Sequence, residues 1–167
     1  MFALTGYAGL MLIVPVFGSQ IQPHTQTAAE RLSVNFADVN RKILAMAKDF
    51  PPDKYNFRLK PEMRSFGEVM VHIVSGSAYA AKAGRGEKVK RDELDAKNYP
   101  GKAAVVALIE KTIADSSATL KENPEGWQKS QEPFLSVMEH SAEHYGLLVA
   151  YYRANGLVSP ESRPKGK

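Results

Sequence analysis

The sequence predicts an all-α protein, a four-helix bundle, and three observations carry that prediction. Apolar residues recur at steps of three and four over four separate segments. Each segment is bounded by residues that start or stop helices. No stretch alternates apolar and polar residues convincingly, as a half-buried strand would.

The first helix is expected between Thr25 and Phe50, where Leu32, Phe36, Val39, Ile43, Met46 and Phe50 lie three or four residues apart and so share one helical face. Pro51 and Pro52 end it, since proline has no amide hydrogen to donate and disfavours helical backbone in the residue before it. Further on, Ser65 and Glu68 have the spacing of a capping box, in which the serine accepts from a helix amide and the glutamate reaches back to the cap amide. This predicts a second helix from about Phe66 to Ala83, with Gly84 as its stop.

Residues 84–100 are charged and lack a sustained apolar face, so a loop holding a single helical turn is expected. A third helix follows from about Lys102 to Lys121, with Val105, Val106, Ile109, Ile113 and Leu120 on one side, and the ENPEGW stretch breaks it. The fourth is expected from about Pro133, in the first turn, to Asn155. Its core face would carry Phe134, Met138, Tyr145, Val149 and Tyr152, and Gly156 would supply a left-handed stop. There is no internal repeat.

A chain of 167 residues with 44% hydrophobic and 24% charged residues suits one globular core, and excludes a disordered chain or a fibre. The net charge of +4 lies partly in the last five residues and is too small to argue for nucleic acid. Cysteine is absent, so there is no disulfide framework, no cysteine-ligated zinc and no thiol nucleophile. Nucleophilic or metal chemistry must come from other side chains, among them four histidines.

At the amino end, Leu4 to Phe17 form an uncharged apolar run, shorter than the ~20 residues of a spanning helix, followed by a small, polar stretch. The reading is a leader over residues 1–20, with Gly18 before the cleavage site and export to the periplasm or medium. No basic residue precedes the run, so a structural helix or uncleaved anchor, with a cytoplasmic protein in the former case, is the alternative. The bundle then occupies residues 25–160 and a basic tail residues 161–167, without stable membrane insertion of the mature domain.

His140 and His144 stand four residues apart on the fourth helix, on one face and one turn apart, and can chelate a single ion. His72 sits close to the buried face of the second helix, so the three can form a triad. The same spacing also fits a solvated, hydrogen-bonded pair, and a metalloprotease is unsupported because Ser141, not glutamate, follows His140. His24 reads as a surface residue, and Glu139 and Glu143 as acceptors behind a ligating imidazole or as plain solvated charges. The Lys88–Arg91 run has acidic neighbours in Glu87, Asp92 and Glu93 and reads as a solvated loop.

The segments Lys54–Arg58, Met63–His72, Glu139–Gly146, Tyr151–Gly156 and Ser159–Ser162 resemble the DinB-like family of four-helix proteins over about residues 25–164. The resemblance implies that His72, His140 and His144 bind a divalent metal, zinc foremost with nickel or manganese as alternatives. It also implies a homodimer with an open coordination position, and a small-molecule substrate such as a thiol. Relatives with known activities are metal-dependent transferases that use low-molecular-weight thiols, or a thiol-dependent isomerase. Leu147 departs from the Gln or Asn that relatives often carry there, and an exported protein would meet few cytosolic thiols.

The resulting expectation is a metal-dependent enzyme of thiol-transferase or hydrolase type, with its catalytic acid or base unidentified. The alternative is a non-catalytic bundle that binds metal or ligand in a structural or sensing role.

Overall fold

A computed structural model describes residues 26–122 and 127–164. Four α-helices make up the fold: α1 (Ala28–Asp49), α2 (Phe66–Gly84), α3 (Gly101–Glu122) and α4 (Trp127–Ala154). Short 3-10 turns lie at Pro52–Lys54, Ala96–Asn98 and Pro160–Ser162. Among the described residues the only strand-like pairing is an isolated bridge between Arg58 and Ser65. The expected all-α bundle is therefore the observed one. None of these helices is long and apolar enough to cross a membrane. The expected leader, residues 1–20, and His24 lie outside the described residues.

α1 starts on a capping box of its own, with Thr27 accepting from the Glu30 amide and Glu30 accepting from that of Thr27. The whole predicted stripe from Leu32 to Phe50 is buried. α1 and α2 each pack against both α3 and α4, so they occupy opposite corners and the segment between them crosses one end of the bundle. Aromatic rings plug that end: Phe50 stacks on Phe66 with centroids 3.8 Å apart, and Tyr152 meets Phe50 edge-on at 5.0 Å. Side chains from outside α1 also donate to the carbonyls at its C-terminal end, where a helix runs short of backbone donors, joining the Phe50 amide on Met46 O. Tyr55 donates its hydroxyl to Ala47 O, Tyr152 donates to Met46 O at 2.9 Å, and Lys102 Nζ donates to Phe50 O at 3.0 Å.

α2 begins on the predicted Ser65–Glu68 capping box and ends at Gly84, within a residue of the expected stop. Gly84 is the last helical residue and buried, and the left-handed glycine is Gly86, with φ +81°. Gly84 answers a packing need instead, since a Cβ there would stand 2.8 Å from Phe134 Cε2. The charged loop holds one helical turn, at Ala96–Asn98, as its composition implied.

α4 starts at Trp127, six residues before Pro133, which lies inside the helix. The buried line along α4 is Phe134, Val137, Ser141, Leu148, Tyr151 and Tyr152. Met138, Tyr145 and Val149, expected at the core, are half-buried at its margin. The periodic reading placed the stripe slightly off its true position because apolar residues cover more than one face of this helix. Gly156, with φ +69°, stops the chain's helical course as predicted. Beyond it, Arg163 pairs with Asp49, and Glu161 with Arg41 at 2.6 Å, laying residues 161–163 along α1.

Candidate metal centre

The contact between α2 and α4 brings three imidazoles together. His72 projects from the middle of α2, and His140 and His144 from successive turns of α4. The ring centroids lie 4.8, 4.9 and 4.3 Å apart, and one nitrogen from each ring falls within 4.8 Å of the others. His72 Nε2 and His140 Nε2 face each other at 3.0 Å. Three nitrogens bound tetrahedrally to one zinc ion at about 2.0–2.1 Å would sit about 3.3 Å apart. The observed spread brackets that value, so modest ring rotations would bring all three onto one ion.

The sequence explains how the rings are held. His144 Nδ1 lies 3.1 Å from the His140 carbonyl, which accepts its proton and leaves Nε2 as the free donor atom. Gly76 packs directly against Val137, the residue one turn before His140 on α4. A Cβ on Gly76 would come within 3.3 Å of Val137 and 3.9 Å of His140 Nδ1, so glycine makes room for the ring. His140 Nδ1 is itself buried without a hydrogen-bond partner.

Electrostatics favour neutral rings. Burial pushes the pKa of His140 down, and the neighbouring His144 and His72 lower it further, to about 4. Burial likewise lowers that of His72, although the adjacent Glu93 carboxylate pulls the other way. Both rings are thus unprotonated near neutrality, the form that binds a cation. Three converging imidazoles, with His72 and His140 unprotonated near neutrality, fit a borderline divalent ion better than they fit a solvated pair.

Space adjoins the triad on two sides. A cleft of about 160 Å³ touches His72 and His140, with Gly76, Arg91 and Glu93 in its walls. A second, of about 460 Å³, is lined by His144, Leu147, Tyr151, Met63 and Arg64. Leu147 therefore presents an apolar wall beside His144 where the family resemblance led one to expect an amide. A larger cavity, about 680 Å³, is also lined by Arg64 and Glu93 but touches none of the histidines.

The expected acceptors behind the ligands are placed elsewhere. Glu139 and Glu143 are exposed, and Glu139 lines a groove between α1 and α4. The carboxylate that approaches the triad is that of Glu93, whose Oε2 lies 3.2 Å from His72 Nδ1. Sequence reasoning missed it because an acidic residue in a charged, aperiodic loop carries no positional signal.

Residues 35–148, a span that includes all three histidines, match the family model described as the DinB superfamily. No curated protein matches the chain.

Proposed function

The chain belongs to the DinB superfamily, and on that premise we propose that it is a divalent-metal protein whose His72, His140 and His144 hold one ion in an open site for a small molecule. The observation that carries this reading is the convergence of three imidazoles, one nitrogen from each within 4.8 Å, between two clefts. An ion held there would supply Lewis acidity, making a water or a thiol nucleophilic at neutral pH.

The protein's own residues define the rest of the site. His72, His140 and His144 would supply three ligands, the number found in catalytic zinc sites and one fewer than in closed structural ones. Val69, Leu147 and Tyr151 provide an apolar wall in the cleft beside His144, which Glu62 and Arg64 also line, and this suits a substrate with an apolar body. Such a site suits metal-dependent transfer to a thiol or to water, the two reaction types that an activated nucleophile would serve.

The test is metal analysis of protein purified without a polyhistidine tag. One divalent ion per chain in the wild type, and its loss in His72→Ala and His144→Ala, is the expected result. Absence of any stoichiometric ion after exposure to zinc, nickel or manganese would overturn the reading. A screen with thiol acceptors and with hydrolysable esters and amides then separates the two chemistries from a non-catalytic role.

A further inference from the structure

Glu93 stands out among the charged residues of the loop between α2 and α3 because several separate parts of the fold converge on it. Ser75, buried on α2 one turn after His72, accepts the Leu94 amide at 3.0 Å while donating its own proton to Val71 O at 2.7 Å. This fixes the loop against α2 at the residue next to Glu93. From the other side, Arg64 Nη2 holds Glu93 Oε2 at 2.9 Å. Arg64 is itself anchored, since Tyr151 on α4 donates its hydroxyl to the Arg64 carbonyl. The outcome is a carboxylate oxygen 3.2 Å from His72 Nδ1, a buried ring atom with no aligned hydrogen-bond partner.

The opposite nitrogen of that ring, Nε2, is the one facing His140. An acceptor beside Nδ1 favours the tautomer protonated there, which leaves the Nε2 lone pair free, and it makes the ring a better donor to a metal. We propose that Glu93, clamped by Arg64 and by the Ser75–Leu94 contact, is the positioning residue of the metal centre, selecting the tautomer and orientation in which His72 ligates. This rests on the metal reading above. Glu93 acts through His72 and is not itself a ligand, because its near oxygen faces the nitrogen turned away from the triad.

The experiment compares wild type with Glu93→Ala, Glu93→Gln and, as a neighbour lining the same cleft, Asp92→Ala. Cobalt(II) serves as the probe. Titration measures affinity, and the visible ligand-field band reports the ligand set. Expected is a loss of affinity of roughly 10- to 100-fold in Glu93→Ala with an unchanged band. Glu93→Gln, which keeps an acceptor oxygen, should recover part of it, and Asp92→Ala should match wild type. Affinity of Glu93→Ala within twofold of wild type would overturn the proposal. So would an altered band in Glu93→Ala, which would make Glu93 a direct ligand.

Nitrogen-15 NMR of the metal-free proteins supplies a readout independent of metal binding. His72 should be protonated at Nδ1 in wild type and shift toward a tautomer mixture in Glu93→Ala. If wild type bound no cobalt, the metal reading would fail while this tautomer measurement still decided the role of Glu93. An unchanged His72 tautomer would count against it.

Discussion

Two glycine-to-alanine substitutions in this bundle should have opposite signs. At Gly84 the new Cβ would stand 2.8 Å from Phe134 Cε2 and 3.1 Å from Thr119 Cγ2. Carbon atoms in contact normally sit about 3.5–4.0 Å apart, so the neighbours must retreat by roughly half an ångström or more. Phe134 has little freedom to do so: its ring is fully buried and meets Phe36 edge-on at 5.3 Å. Such overpacking costs about 1–3 kcal/mol. Alanine regains up to about 1 kcal/mol of helix propensity, and less at the final helical residue. The net expectation for Gly84→Ala is a destabilisation of about 1–2 kcal/mol. At Gly146, an exposed residue within α4, a Cβ would meet nothing within 4 Å. There only the propensity acts, and Gly146→Ala should stabilise by about 0.5–1 kcal/mol. Urea unfolding followed by far-UV circular dichroism, with equal m-values, should therefore separate the two variants by about 2 kcal/mol. A Gly84→Ala variant as stable as wild type would refute the claim that α2 lies against α4 at this distance.

Three other outcomes are expected. If the triad binds zinc, free metal at a hundred times its dissociation constant should raise the unfolding free energy by about 2.7 kcal/mol, a chelator should remove the gain, and His144→Ala should show much less of it at the same metal concentration. Tyr152→Phe should cost about 1 kcal/mol in the same unfolding assay, because the hydroxyl's bonds to Met46 O at 2.9 Å and Asp49 Oδ2 at 3.2 Å are lost. Asp49 is held below the ordinary carboxylate range chiefly by its hydrogen bonds from Arg163, with Tyr152 assisting. Its stabilising contribution is therefore complete above the pKa of the unfolded chain and disappears as pH falls through the lower folded value. Asp49→Asn should lower the urea midpoint at pH 7 and match wild type near pH 2.

The elements legible in the sequence are those in which one strong signal acts alone. The Leu32–Phe50 stripe lies on a helix whose other faces are mostly polar or alanine, with Val34 and Leu44 as isolated exceptions, so period alone identifies its buried side. The box of Ser65 and Glu68 is a local interaction, complete within four residues, and it forms where expected. His72, His140 and His144 were legible as a group because two of them share a helix face by arithmetic. That the third meets them depends on how α2 sits against α4, which the family resemblance implied and local spacing could not derive. Where signals overlap, reading fails. Leu147, Leu148, Val149, Tyr151 and Tyr152 cover more than half of the α4 circumference, while the small Ser141 takes a fully buried place. Tyr145 was thereby assigned a central position that Leu148 and Tyr151 hold. The roles of Gly84 and Glu93 were illegible for another reason, since both depend on contacts with residues more than twenty positions away.

The three histidines are unequally distributed: two stand on successive turns of α4, and His72 alone stands on α2, with 68 positions separating it from His140. An ion gripped by all three would act as a staple between two helices, closing a long loop of chain in the way a disulfide does and restricting the unfolded state. The staple has two prongs in α4 and a single one in α2. Removing His144 would weaken the grip yet leave one prong in each helix. Removing His72 would leave the ion fastened to one helix only, where it joins nothing to anything. Two neighbours on one stretch of chain can also hold an ion when the chain is unfolded, so at equal native affinity the His72 variant should gain less stability from saturating metal than the His144 variant.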